Sequence, residues 1–142
     1  MSSVTRKCEY ALRAVLQLAL CWQDQRIGVV AEIAAAQAIP PRFLQLILNE
    51  LRQAGFIESR RGKLGGYTLA IDPAELKMGD IIRLIDGPWA PAERANESGN
   101  SSPFNRLWSR AGAALTTVYD GTTIQNLVDD YQLASGRTDY CI

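Results

Sequence analysis

Histidine is absent from this 142-residue sequence, and cysteine occurs only three times. Without histidine, the chain lacks the side chain that most often serves as a general acid or base in enzymes. A cysteine–histidine nucleophilic pair is excluded for the same reason. The segment GKLGGY is not a phosphate-binding loop, because it lies within a hairpin pattern instead of between a strand and a helix. The sequence therefore predicts a protein that is not an enzyme.

The features of a membrane or secreted protein are also missing. No apolar run approaches the roughly 20 residues that span a bilayer, and the start MSSVTRK lacks the apolar core of a signal peptide. Cys8, Cys21 and Cys141 are an odd number of cysteines, which argues against a disulfide framework. We expect a cytoplasmic protein with reduced thiols and no membrane partner.

Charge of one sign is not in excess, because 15 basic residues balance 15 acidic ones. This balance differs from that of a polycation that coats nucleic acid without selectivity. Residues 40–63, however, contain five cations and two anions. The cations are Arg42, Arg52, Arg60, Arg61 and Lys63, and the anions are Glu50 and Glu58. This local excess of positive charge indicates a surface for phosphates.

Residues 40–55 have the pattern of an amphipathic helix. Its apolar positions recur at a spacing of three and four: Phe43, Leu44, Ile47, Leu48 and Leu51. The opposite face carries side chains suited to phosphates and base edges: Arg42, Gln45, Asn49 and Arg52. Pro40 and Pro41 favour a first helical turn, and Gly55 favours a helix end. The pattern predicts a DNA recognition helix.

A hairpin rich in glycine and cations follows this helix. Phe56 and Ile57 begin one strand, residues 67–69 form a second, and RRGKLGG makes the turn. Glycine lets a backbone approach a surface closely, and the cations would lie against a sugar–phosphate chain. The predicted DNA contacts here are Arg60, Arg61, Lys63, Gly65 and Gly66. A basic hairpin tip alone favours a solvated turn, but directly behind a recognition helix it indicates a wing.

The remaining patterns complete a winged helix-turn-helix. Residues 5–22 and 29–37 predict two helices that precede the recognition helix. Further helices are predicted at 78–86 and 104–119 and, as a last short one, from residue 124. The predicted fold is mainly α with a small β-hairpin wing. It divides into a DNA-binding domain (1–87), a flexible loop rich in Pro, Ser, Asn and Gly (88–103), and a long dimerisation helix with a C-terminal segment (104–142).

The long helix carries an apolar stripe that needs a covering surface. Its members are Leu107, Trp108, Ala111, Ala114, Leu115 and Val118. A helix that projects beyond a compact domain exposes such a stripe unless another chain covers it. We therefore predict a homodimer, with packing inside the same chain as the alternative.

These motifs, in this order, resemble the bacterial winged-helix repressors typified by IscR, NsrR and CymR. The matching segments in the first half are Tyr10-Ala11-Leu12-Arg13, Ile33-Ala34, Ile39-Pro40, Phe43-Leu44 and Leu51-Arg52-Gln53-Ala54-Gly55. Those in the second half are Ser59-Arg60-Arg61-Gly62, Gly65-Gly66-Tyr67, Asp86-Gly87, Leu107-Trp108, Thr123-Ile124 and Leu127. The resemblance implies a homodimer on two-fold-related DNA, with the helix in a major groove and the wing in a minor groove. It implies contacts from Arg42, Gln45, Asn49, Arg61, Gly65 and Gly66.

Many members of that family hold an iron–sulfur cluster through three cysteines in the loop before the long helix. Between Asp86 and Trp108 this chain has no cysteine. Cys8 and Cys21 lie 13 residues apart on one predicted helix, which separates them by about 20 Å. Since thiolates are the usual ligands of such clusters, we expect no bound cluster and predict no other cofactor or metal.

The signal that such a regulator senses stays open. A small molecule between the loop and the long helix, a partner protein, or oxidation of the Cys141 thiol are the alternatives. The rival function is a winged-helix protein-interaction module, or a partner-dependent co-regulator without its own DNA specificity. A docking wing needs exposed apolar residues, whereas this one has three cations and a single Leu64. Sequence-specific DNA binding, as a repressor, is the favoured function.

Overall fold

The computed structural model of the protein describes residues 4–62, 65–89 and 103–139. The elements in chain order are α1 (Arg6–Gln23), α2 (Val30–Gln37), α3 (Pro41–Gln53), β1 (Ile57–Arg60), β2 (Gly66–Leu69), α4 (Met78–Asp86), α5 (Pro103–Gly121) and α6 (Ile124–Asp139). The two strands pair antiparallel in one small sheet. Among the described residues, no helix combines the length and apolarity needed to cross a membrane. This architecture agrees with the predicted fold class.

The helix ends follow from local chemistry. Helix α1 begins after Thr5, whose side-chain oxygen accepts a hydrogen bond from the Cys8 amide at 3.2 Å. Helix α3 begins at Pro41, which fixes φ for the first turn and needs no amide partner there. It ends before Gly55, where a φ of +85° turns the chain into the hairpin. Recognition helix and hairpin are thus joined by a short, defined turn.

The main hydrophobic core lies between α1, α2, α3, the hairpin, α4 and α6. The inner face of α3 supplies four fully buried side chains: Leu44, Ile47, Leu48 and Leu51. Phe43, the fifth apolar residue predicted from the helical spacing, is half-buried and packs against this core. Burial of each fully buried side chain contributes about 1.5–3 kcal/mol to folding. The apolar stripe of α3 therefore fixes which face of this helix remains outside.

Helix α6 returns to the first helix and is longer than the short helix predicted. It extends to Asp139, and its Ile124 and Val128 are buried in the same core as the residues of α1. The Ile124 amide donates to the carbonyl oxygen of Leu76 at 2.8 Å. The sequence assigned residues 104–142 to a segment separate from residues 1–87, whereas the structure places part of that segment inside the core of the first.

A polar and aromatic cluster joins α4 to α5. The Arg83 guanidinium donates to both carboxylate oxygens of Asp120, at 2.9 and 2.5 Å, and lies 4.2 Å from the Trp89 ring. Trp89 donates from Nε1 to Thr116 at 3.1 Å and packs edge to face on Tyr119. The hydrogen bonds from Arg83 hold the pKa of Asp120 below its ordinary value. Trp89 thus has a packing role.

Both described cysteines are buried on α1. Burial, with a smaller effect from the Asp86 carboxylate, raises the pKa of Cys8 to about 12. Burial also raises the pKa of Cys21. These thiols pack as small apolar side chains. Cys141, the predicted candidate for oxidation, lies outside the described residues.

Candidate nucleic-acid interface

The outer face of α3 presents four side chains at a helical spacing. Arg42 and Gln45 are exposed and Asn49 is half-buried, as expected for residues opposite the buried stripe. Leu46 shares this face and is 60% exposed. Sequence reasoning missed Leu46, although an apolar residue outside the buried stripe was a visible signal. An aliphatic side chain at such a position suits the methyl group of thymine.

Tyr67 connects the recognition helix to the hairpin. Its hydroxyl accepts a hydrogen bond from Gln45 Nε2 at 3.0 Å, and the same nitrogen lies 3.3 Å from Asn49 Oδ1. The backbone of Tyr67 exchanges two hydrogen bonds with Gly28, at 2.8 and 2.9 Å. The Gln45 side chain is therefore held by the hairpin, and the hairpin is held by the loop before α2. Sequence reasoning missed this role of Tyr67.

The two arginines of the hairpin differ in their surroundings. Arg60 donates from Nε to the Thr68 hydroxyl at 3.1 Å and pairs with Glu58 at 3.4 Å. Arg61 follows the end of β1 and is exposed. Gly65 has a φ of +53° in the turn, and Lys63 lies outside the described residues. The structure brings Arg60, Arg61 and Gly65 to one end of the hairpin.

Gly66 is buried, so the reason for glycine at this position differs from the predicted one. A Cβ atom added there would lie 2.5 Å from the carbonyl oxygen of Gly28 and 2.5 Å from a methyl carbon of Ile27. The sequence predicts that glycine here permits close approach to DNA. In the structure the close approach is to the loop before α2, so that glycine at position 66 sets how the hairpin is anchored.

The acidic residues of α3 and the hairpin are paired with cations. Glu50 accepts from Lys7 of α1 at 2.6 Å, and Glu58 pairs with Arg60. Arg42 and Arg61 remain exposed on the same two elements. The surface therefore combines exposed guanidinium groups with carboxylates whose charge is offset locally, as a phosphate backbone requires.

Comparison with known proteins decides what kind of protein carries this arrangement. The family model named Rrf2, described as an iron-dependent transcriptional regulator, matches residues 4–130. The chain belongs to the Rrf2 family. The predicted resemblance and fold are thereby confirmed. This Rrf2-family chain is a DNA-binding transcriptional regulator with a winged helix-turn-helix.

Relatives of this Rrf2 regulator match over most of their length. One relative is a Mycobacterium tuberculosis protein that is named as a proposed HTH-type transcriptional regulator. It is 35% identical over 129 residues, which cover 87% of this chain and 80% of the relative. The structure of T. potens IscR aligns with a TM-score of 0.81 at 28% identity, covering 94% of this chain and 90% of that one. The structure of CymR, the global cysteine regulator of B. subtilis, aligns with a TM-score of 0.79 at 32% identity. The alignment covers 91% of this chain and 98% of CymR.

In this Rrf2 regulator, α5 presents most of the apolar stripe predicted for dimerisation. Leu107, Trp108 and Val118 are each about half exposed, and Phe104 extends the stripe at 69% exposure. Ala111 and Ala114 are exposed between them. Leu115 differs, because it packs against a small cluster of its own chain formed by Cys8, Ile82 and Tyr119. The stripe is thus an apolar surface with one edge covered internally.

The donor groups of the described residues do not fit an iron–sulfur cluster. Within residues 4–62, 65–89 and 103–139, no three His, Cys, Asp or Glu side chains lie together in a way that could hold a metal ion. The cysteines of α1 are buried 13 positions apart, and their raised pKa values oppose the deprotonation that a metal-bound thiol needs.

Proposed function

We propose that this Rrf2-family chain acts as a homodimeric repressor that reads a two-fold-related DNA site. The observation that carries the proposal is the hydrogen bond between Gln45 and Tyr67. It fixes the outer face of α3 relative to the hairpin, so that one rigid surface presents both elements. Such pre-organisation reduces the ordering cost of recognition.

Each element has a distinct part in the proposed recognition. Helix α3 enters a major groove, where Gln45 and Asn49 face base edges and Arg42 contacts guanine or a phosphate. The hairpin lies along the adjacent minor groove, where Arg61 and Gly65 contact the backbone and Arg60 adds positive charge. Exposure of Arg42, Gln45 and Arg61 supports these roles.

The exposed stripe of α5 supports the homodimer. Trp108 and Leu107 together with Val118 form an apolar face that water would otherwise contact. Two copies of the same face make a closed, two-fold interface, which places two recognition helices on symmetric half-sites. Repression then follows from occupation of a promoter by the dimer.

Selection from a random-sequence duplex library tests the proposal. We expect an enriched motif with two-fold symmetry and half-site centres separated by about one helical turn or a multiple of it. Fluorescence anisotropy should then give an affinity for the selected duplex at least about a thousandfold above that for a scrambled control at physiological salt. No enriched motif would favour a partner-dependent co-regulator, and an asymmetric motif would contradict the homodimer.

We further propose that DNA binding needs no iron–sulfur cluster. Protein purified without oxygen should contain less than about 0.1 iron and 0.1 sulfide per chain, since the thiol ligands that such clusters need are missing from the loop of residues 88–103. Colorimetric iron and sulfide assays, with anisotropy before and after chelation, measure this. Stoichiometric iron and sulfide would contradict the proposal.

A further inference from the structure

A cleft of about 390 Å³ lies between the end of α1, the following loop and the hairpin. Trp22, Ile27 and Leu69 give it an apolar wall, and Arg26, Arg60 and Thr68 supply polar groups. This volume falls in the range of small-molecule sites, which combine an apolar lining with a few polar groups that fix orientation. None of the residues that line the cleft belongs to the α5 stripe.

The apolar wall of the cleft is partly open to water. Trp22 is 41% exposed and Ile27 is 43% exposed, although both line the same concave surface. Exposed apolar side chains are common singly, but two of them in one cleft with buried Leu69 behind them form a surface that an apolar ligand would cover. The lining therefore fits a ligand with an apolar body.

Both arginines of the cleft can exchange their present partners. Arg26 pairs with Asp24 at 3.2 Å and Arg60 pairs with Glu58 at 3.4 Å, each between neighbours two positions apart in sequence. All four side chains are more than half exposed, and ion pairs of this kind contribute little to stability. A ligand carboxylate between the two guanidinium groups would gain charge-assisted hydrogen bonds at little cost to the fold.

We propose that this cleft binds a small molecule made of a carboxylate and an apolar body, and that the bound molecule lowers affinity for DNA. The effect on DNA affinity rests on the proposed function, in which the hairpin contacts DNA. Arg60 belongs to both sites, because it lines the cleft and stands on the strand that leads into the hairpin turn. When its guanidinium neutralises a ligand carboxylate, it no longer offers its full charge to a phosphate. Ligand and DNA therefore compete for one side chain.

The three tryptophans of the chain allow the binding site to be located. Trp22 lines the cleft, Trp89 packs at the α4–α5 junction, and Trp108 lies on the α5 stripe. The uniformly labelled protein would be titrated with 2-naphthoate and with 4-phenylbutyrate, up to 10 mM, while the three indole N–H signals are followed by NMR. Single Trp→Phe variants assign the signals.

A saturable shift of the Trp22 signal, with Trp89 unmoved, is the expected result. The matched neutral amides, 2-naphthamide and 4-phenylbutyramide, should bind at least tenfold more weakly because they lack the charge that the guanidinium groups recognise. A shift confined to Trp108, equal affinity for acid and amide, or no saturable Trp22 shift with either carboxylate would each overturn the ligand site.

Two charge-removing variants separate the cleft from general electrostatics. Arg26→Gln should lower the affinity for 2-naphthoate at least fivefold. Arg106→Gln, which removes the same charge from an exposed position of α5, should change this affinity by less than twofold. Equal losses in both variants would reduce the effect to net charge and overturn the site. This comparison uses no DNA, so its outcome is independent of the proposed DNA recognition.

A final titration tests the coupling to DNA. Saturating 2-naphthoate should weaken binding of the selected duplex at least fivefold in the unmodified protein and by less than twofold in Arg26→Gln. Unchanged DNA affinity with a filled cleft would overturn the regulatory half of the proposal and leave the ligand site in place. Failure of DNA binding without any ligand would instead contradict the proposed function.

Discussion

The outer face of α3 and the exposed face of α5 are both helix surfaces that the core does not cover, yet they differ in how complete they are. On α3, Gln45 has its hydrogen-bond partner in Tyr67 of the same chain. On α5, Trp108 and Val118 are apolar and face solvent. The first surface has its polar contacts within one chain, whereas the second leaves apolar side chains uncovered, which a second chain covers in the proposed dimer. We therefore expect DNA recognition and dimer assembly to be separable by substitution.

The largest effect is expected from a charge in the α5 stripe. Leu107→Asp should weaken the dimer by at least about a hundredfold, because a carboxylate would be buried in the interface without a partner. Sedimentation velocity measures the dimer, and circular dichroism should show a folded monomer, since Leu107 is half exposed within its own chain. Specific DNA binding should fall with it. Ser109→Asp, at an exposed position of α5 that is not part of the stripe, is the matched control, and an equal loss there would contradict the assignment of the stripe.

A tenfold effect is expected from the hairpin. Arg61→Ala should weaken binding of specific and scrambled duplexes alike. It should also reduce the slope of log affinity against log salt concentration by about 1, the value for one lost phosphate contact. The dimer should be unaffected, in contrast with the α5 variant. Fluorescence anisotropy at several salt concentrations measures the DNA affinity and its salt dependence, and Arg106→Ala is the control for net charge. Unchanged affinity and slope would remove Arg61 from the interface.

A smaller effect is expected from Tyr67→Phe, which removes only the hydroxyl that holds Gln45. The loss should be about three- to tenfold on the specific duplex, in line with a net hydrogen bond of about 1 kcal/mol, and little on the scrambled one. A double-mutant cycle with Gln45→Ala isolates the coupling, because the second change should remove the effect of the first. Additive losses would show that the hydroxyl acts elsewhere.

The smallest effect concerns the junction that supports α5. Asp120 has a pKa below its ordinary value because Arg83 binds its charged form. The stabilisation is therefore present above the ordinary pKa of an aspartate and is lost as pH falls through the lower, folded value. Asp120→Asn should lower the free energy of unfolding by under about 1 kcal/mol at pH 7, because the pair is partly exposed. Urea titrations at pH 7 and pH 3 should show that the difference shrinks in acid.

Much of the architecture followed from periodicity. The buried face of α3 was predictable because its apolar residues repeat at three and four, and the hairpin was predictable because Gly55 and the glycines of its turn break the helix pattern. Leu46 was missed because its type resembles that of the core while its position does not. The apolar spacing predicted helix α3, and the position of Leu46 outside the buried stripe would have predicted its exposure.

Contacts between distant residues were beyond such patterns. Gln45 and Tyr67 are 22 positions apart, and Gly28 lies in the loop before α2 whereas Tyr67 lies on β2. Neither side-chain spacing nor composition encodes which hydroxyl reaches which amide. The length of α6 was underestimated because residues beyond Tyr131 carry a weak apolar pattern. Ile124 and Val128 bury only the first part of this helix in the core.

The anchoring of the hairpin depends on two glycines that face each other. A Cβ at Gly28 would lie 2.4 Å from a methyl carbon of Leu18, and one at Gly66 would collide with Gly28 itself. The anchor of the hairpin on the loop before α2 thus consists of main-chain atoms at positions 28, 66 and 67. In the proposed interface, substitutions of Arg42, Leu46 or Asn49 should therefore alter which bases are read without moving the hairpin, because this anchor uses none of their side chains.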